Sequence, residues 1–185
     1  MQTTINCQNR PSKWFLCSKK GFKVRSFGTG NQVKLPGPSL DKPNIYEFDT
    51  PYEDMYSDLM NKDKLLYTQN GLLHMLDRNR RIKPHPEQFQ TCQDIFDVIF
   101  TAEERVYDQV VEELASRSPI DNTPVHVINI DIMDNHEEAT IGAFLFCELA
   151  QLLSTCEDLD NEIDDILQEF ETKSQRPILH TVQFY

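Results

Sequence analysis

The chain has 185 residues, 39% of them hydrophobic and 26% charged, which suits one soluble domain large enough to bury a core. Its 30 acidic and 18 basic residues leave a net charge of -12. That excludes a protein built to coat nucleic acid or an anionic membrane, because both need a positive face.

The chain opens "MQTTINCQNRPSKWFLCSKKGF". Its first residues are polar and lack the continuous apolar core of a secretory signal. "MQTTIN" carries one aliphatic residue besides Met1, so no strand is expected ahead of the Cys-Gln-Asn-Arg cluster. "FKVRSF" reads as a short strand, Phe22 to Phe27, ended by Gly28 and Gly30. "NQVKLPGPSLDKPN" holds three prolines and Gly37 and predicts an irregular exposed loop. From Pro51 the residues Tyr52, Met55, Tyr56, Leu59 and Met60 fall at helical spacing, with Thr50 as N-cap and Pro51 at the first helical position. A second helix runs from Leu72 to Arg81 and stops before Pro84.

"DIFDVIF" is a short apolar run between polar residues, the pattern of a buried parallel strand. Thr101 with Glu104 three residues on predicts a capping box, and Val106, Val110, Val111 and Leu114 make the apolar face of its helix. "PVHVINI" is a further strand. A loop from Asp131 to His136 leads into a helix from Glu137 to Leu153, apolar on most sides. Its run from Ile141 to Leu153 is broken by Glu148 and Gln151 and is too short to span a bilayer. An amphipathic helix follows from Asp158 to Glu171, and "ILHTVQFY" closes the chain as a strand.

Strands alternating with helices imply an α/β fold, a parallel sheet covered on both faces. Ligands of such folds bind at the carboxyl ends of the strands. Chemistry is therefore expected in residues 28–44, Thr101 to Glu104 and Asp131 to His136. The five cysteines (Cys7, Cys17, Cys92, Cys147, Cys156) are odd in number and lack metal-type spacing, which suits free thiols in the cytosol or nucleus. His74 and His136 have no clustered carboxylates at ligand spacing and read as ordinary histidines rather than metal ligands. "DRNRRIK" reads as a solvated helix end, and "EDLDNEIDDILQEFE" as a helix face lacking the glycine-bearing loop of a calcium site.

The segments "KKGFKVRSFGTG", "VKLPGP", "DKPNIYEF", "YTQNGLLHMLDRNRRIKP", "EERVYDQVVEEL", "PVHVINIDIMDNHEEATIGAF" and "ILHTVQFY" closely resemble, in order, the serine phosphatase family of the RNA polymerase II C-terminal domain. The likeness runs from about Ser18 to Tyr185. It implies a three-layer, low-molecular-weight phosphotyrosine-phosphatase-like fold, a mostly parallel twisted sheet flanked by helices, with the first strand missing here. Residues 18–185 would form a single phosphatase domain behind an atypical leader or degenerate phosphate loop, 1–17.

The family is a cysteine-based hydrolase without metal or other cofactor, acting in the nucleus, with the cytoplasm as a second compartment. The resemblance implies removal of phosphate from phosphoserine followed by a cis proline in the polymerase heptads, during transcription and mRNA 3′-end processing. The implied partners are that phosphorylated tail and the scaffold symplekin, with no direct nucleic acid and no membrane.

In this family a Cys-x5-Arg loop followed by serine binds phosphate through backbone N–H groups and the helix N-terminus, which lower the cysteine pKa. By resemblance Asp134 is the general acid, with Asp131 the runner-up. The residues alone also allow these acids merely to cap the next helix. The "KLPGP" loop, through Leu35 and Pro36, together with Leu72 and Met75, would form the proline pocket. The first loop departs from the pattern. Counting back from Arg10, the phosphate clamp, the nucleophile position is Thr4, while Cys7, the nucleophile candidate, lies only three residues before the arginine. Pro11 stands in place of the serine. The alternative implied by these departures is a pseudophosphatase or binding module.

Overall fold

The computed structural model describes residues 2–6, 22–39, 41–118, 122–133 and 135–185, with residues 2–6 and 136 described in backbone only. Backbone contacts group them into two compact units, residues 2–6, 22–26 and 93–185 in one and 27–92 in the other.

The first unit is built on a five-stranded sheet. Its strands are β1 (Gln2–Asn6), β2 (Lys23–Phe27), β5 (Val98–Thr101), β6 (Pro124–Ile130) and β7 (Ile178–Phe184), in the order β2-β1-β5-β6-β7. β1 pairs parallel with β5, and β5 parallel with β6. β7 runs antiparallel to β6 with all seven residues in register, so the expected parallel sheet acquires an antiparallel edge.

β1 corrects the expectation that the first strand is missing. Thr3, Thr4 and Ile5 are β-branched and favour extended backbone even where the pattern is not apolar. Seated between β2 and β5, the strand is specified by backbone pairing rather than by an apolar run.

Among the described residues three helices cover this sheet: α3 (Glu104–Ser116), α4 (His136–Ser154) and α5 (Leu159–Ser174). Val98, Phe100, Ile128 and Ile130 bury one face against Phe146, Leu149 and Leu153 of α4 and Ile163, Leu167 and Phe170 of α5. The Phe100 and Phe146 rings meet with centroids 5.4 Å apart. Ile99, Val125 and Val127 alternate to the opposite face and are also fully buried. There α3, buried along Val106, Val110 and Leu114, packs on β6 and β7. Helices on both faces of a largely parallel sheet make the expected three layers.

The second unit holds a two-stranded antiparallel ribbon, β3 (Val33–Leu35) and β4 (Asn44–Tyr46), and two helices, α1 (Tyr52–Gln69) and α2 (Leu72–Arg80). The ribbon corrects the irregular loop expected of residues 31–44, because its prolines lie between the strands and leave the ladder intact. α1 begins with Pro51 as its N-cap residue, one position later than read from Thr50. It kinks at Asp63, whose backbone leaves helical geometry (φ -162°, ψ 91°) and whose Oδ1 accepts the Leu66 N–H at 2.9 Å. The aspartate thus caps the second half of its own helix. In the basic run, Arg80 pairs with Asp77 and Glu53 and lies over the Tyr56 ring, while Arg81 pairs with Asp77. No described helix is long and apolar enough to cross a membrane.

Two histidines join the sheet to α5. His126 on β6 is buried, with Nε2 2.9 Å from Asp160 Oδ1 and Nδ1 3.2 Å from His180 Nε2. His180 on β7 places Nδ1 3.4 Å from Asp164 Oδ1. Burial and the adjacent His126 hold the His180 pKa below the ordinary imidazole value, against the pull of Asp164. The unfolded chain therefore binds this proton at higher pH than the folded one. The group's contribution is complete above its unfolded pKa of about 6.5 and is lost as pH falls through the folded pKa. Urea midpoints are expected to fall between about pH 7.5 and about pH 5.5, with His180→Gln flattening that slope; an unaltered slope in the variant would remove His180 from the linkage.

Candidate active site

The parallel ladder sets the carboxyl ends of β1, β5 and β6 along one edge. Asn6 lies opposite Thr101, and Thr101 opposite Asn129. Thr4 is paired within the strand, opposite Ile99, so the residue at the Cys-x5 spacing belongs to the ladder. β1 ends at Asn6, which makes position 7 the first beyond it in sequence. Cys7, Arg10 and Asp134 lie outside the described residues, as does Cys17.

Between β5 and β6 a short polar relay sets the edge. Thr101 Oγ1 donates to Asn129 Oδ1 at 2.8 Å, and both residues are buried. Asn129 Nδ2 donates to Asp131 Oδ1 at 2.9 Å, and the same oxygen accepts the Glu104 N–H at 3.0 Å. Asp131 therefore caps the first turn of α3, where its negative charge meets the helix dipole. The capping box expected at Thr101 is not formed: Thr101 is the last residue of β5, its hydroxyl is turned to Asn129, and Glu103 takes the N-cap position. Helix capping by an acid after β6 holds for Asp131, yet the helix capped is α3 and not the one that follows.

That following helix has its own cap. Asn135 Oδ1 accepts the Glu138 N–H at 2.9 Å, and the Asn135 N–H donates to the Met133 carbonyl at 2.8 Å. The loop is anchored from below by Ile132, whose N–H donates to the Ala102 carbonyl at 3.1 Å. A Cβ on Gly142 would come within 2.9 Å of Ile132 Cδ1. Glycine at this position of α4 gives the isoleucine room to pack on the helix. The loop that carries residue 134 in sequence is therefore pinned at Asp131, Ile132 and Asn135.

The four residues assigned to a proline pocket all fall in the second unit. Leu35 and Leu72 are buried in one core with Tyr52, Met55, Leu59, Tyr67 and Leu76, and Met75 packs partly buried against it. Pro36, the next residue after β3, is exposed. His74 is exposed, and no group of three or more potential metal ligands occurs among the described residues. Sequence reasoning placed Thr101 in a loop of interest but gave it a capping role in place of its bond to Asn129, and it missed Asn129 and Asn44. The signal available for the asparagines was an amide inside or beside an apolar strand, which must find partners when buried.

Residues 4–185 match the family model described as Ssu72-like protein. Over 170 residues the chain is 68% identical to the Gallus gallus phosphatase SSU72, named for the C-terminal domain of RNA polymerase II, covering 92% of this chain and 88% of that one. A crystal structure of the serine phosphatase of the RNA polymerase II C-terminal domain from Drosophila melanogaster is 53% identical. It superposes with a TM-score of 0.96, covering 100% of this chain and 99% of that chain. A second structure, of D. melanogaster Ssu72 with symplekin bound to a cis peptidomimetic phosphopeptide of the C-terminal domain, gives a TM-score of 0.93 at 53% identity, covering 99% and 97%. The family match begins at residue 4, earlier than the likeness from about Ser18, and takes in most of the segment 1–17.

Removing the Asp131 cap with Asp131→Ala is expected to cost about 1 kcal/mol of unfolding free energy, with Asp131→Asn recovering most of it through its amide oxygen. Chemical denaturation of the three proteins checks this, and equal stability of Asp131→Ala and the parent would refute the capping role.

Proposed function

The chain belongs to the Ssu72-like protein family, and from that membership we propose that it removes phosphate from phosphoserine followed by a cis proline in the heptad repeats of the RNA polymerase II C-terminal domain. The observation that carries this reading is the 68% identity to a phosphatase named for that domain, on a fold shared over the full length with a serine phosphatase of the same domain. Its setting is transcription and mRNA 3′-end processing in the nucleus, with symplekin as partner, as in the related Drosophila complex.

In the mechanism, Asp134 is the general acid. Asp131 already accepts two hydrogen bonds through Oδ1 at the start of α3, which suits a structural acid and leaves the proton transfer to the residue three positions on. Asp134 gives its proton to the serine oxygen as the P–O bond breaks, then takes one from the water that hydrolyses the phosphoenzyme. Cys7 is the nucleophile: β1 ends at Asn6, so this cysteine opens the segment after the strand, the position that a phosphate loop takes in such folds. Its thiolate forms the S–P bond of a phosphocysteine, and Arg10 holds two phosphate oxygens in a bidentate contact. Leu35, Pro36, Leu72 and Met75 receive the proline; cis is the minority form of an X–Pro bond, so an apolar wall that selects it discriminates strongly.

A second reading is binding without turnover. It is favoured by the short spacing of Cys7 from Arg10, with Thr4 at the family spacing paired inside β1.

Steady-state hydrolysis of a phosphoserine–proline heptad peptide separates the two. Turnover is expected to vanish in Cys7→Ser and to fall about 10²-fold in kcat in Asp134→Asn. A cooperatively folded chain that binds the peptide without releasing phosphate would leave the binding reading in its place.

A further inference from the structure

The segment between β3 and β4 is closed by one buried amide. Asn44 opens β4 directly opposite Leu35 of β3 and is 7% exposed. Its Nδ2 donates to the Pro36 carbonyl at 3.1 Å and to the Tyr67 hydroxyl oxygen at 3.0 Å. Its Oδ1 accepts from Lys62 Nζ at 3.1 Å. Both amide hydrogens and the carbonyl oxygen are thus engaged, which is what a buried asparagine requires.

The network continues outward. Lys62 Nζ also lies 2.7 Å from Asp58 Oδ2, which accepts the Tyr46 hydroxyl at 2.6 Å. Burial pushes the Tyr46 hydroxyl pKa well up, reinforced by its bond to Asp58, so the phenol stays protonated and donating. Tyr67, the inner partner of Asn44, is buried in the same core as Leu35 and Leu72. One side chain therefore ties the ribbon to two turns of α1.

Beside this amide the backbone is pinched shut. A Cβ on Gly37 would fall 1.7 Å from the Lys42 carbonyl oxygen, so a larger residue could be accepted only by displacing main chain. Pro36 is held between these two constraints. It is the point where the chain leaves the buried wall of Leu35 and becomes exposed.

We infer that Asn44 is a positioning residue for substrate specificity: by holding the Pro36 carbonyl it fixes the apolar wall that receives the proline after phosphoserine. The inference rests on the reading above that Leu35, Pro36, Leu72 and Met75 form that wall. Asn44 acts through Pro36 and does not touch substrate. A merely structural amide would weaken all ligands together when removed, whereas a wall-positioning amide sets the preference for proline over a residue that makes no use of the wall.

The test needs binding only, and parent and variants all carry Cys7→Ser, so that the peptides are not hydrolysed during the titration. Fluorescence anisotropy gives dissociation constants of the full chain for two labelled heptad peptides, one with phosphoserine–proline and one with phosphoserine–alanine. The parent is expected to prefer proline, and Asn44→Ala to reduce that preference about tenfold, the effect of one lost net hydrogen bond. Asn44→Asp keeps the size and the acceptor toward Lys62 but loses both donors, and should match Asn44→Ala; Tyr67→Phe keeps the ring and should lose less. Thermal unfolding establishes which variants are folded, and if Asn44→Ala is not, the other two decide. Folded variants that retain the parent's preference overturn the role of Asn44 alone. A parent that binds neither peptide, or binds both equally, overturns the proline-wall reading itself and the role of Asn44 with it.

Discussion

The parallel register that aligns Asn6, Thr101 and Asn129 governs the candidate site. Parallel strands deliver their carboxyl ends to one edge, so three separate sequence segments begin on neighbouring strands of the same sheet. The backbone ladder makes this arrangement robust: β1 sits inside the sheet, with β2 on one side and β5 on the other. A strand with few apolar side chains can hold such a place because its N–H and C=O groups are paired on both sides.

Polar side chains buried in apolar surroundings do the finer positioning. Thr101 and Asn129 link two neighbouring strands, and Asn129 passes the link to Asp131 and so to the first turn of α3. Asn44 does the same for the ribbon of the second unit, reaching Pro36, Tyr67 and Lys62. An unpartnered amide in such a place costs about 1–3 kcal/mol, so each of these groups constrains its neighbours to supply a partner. Apolar packing tolerates small slips; a buried amide with three set partners does not.

Charge follows the same logic. The protein is strongly acidic, yet several basic groups are committed to internal partners, as Arg80 is to Asp77 and Glu53 and Arg176 to Glu138. Recognition of a phosphate by such a chain rests on local geometry rather than on a broad positive field. The run from Asp77 to Lys83, expected as a solvated helix end, is instead largely tied down: Asn79 is buried, Arg80 and Arg81 pair with Asp77, Arg80 also pairs with Glu53, and only Arg81 and Ile82 of the run are exposed.

Local pattern was enough to read the helices, the strands β2, β5, β6 and β7, and the family. Helical spacing at Val106, Val110 and Leu114, and the apolar runs at Val98 to Phe100 and Val125 to Ile130, follow from burial, which local pattern records directly. The family was legible in long distinctive segments, and the match extends to residue 4. β1, the β3–β4 ribbon, the kink at Asp63 and the partners of Asp131 and Asn44 emerge only in the folded chain. Each depends on a contact between residues that are distant in sequence or on a side chain competing for its own backbone, as Asp63 does. Periodicity registers which face of an element is buried; it carries no information on which donor a carboxylate or amide will meet across the fold.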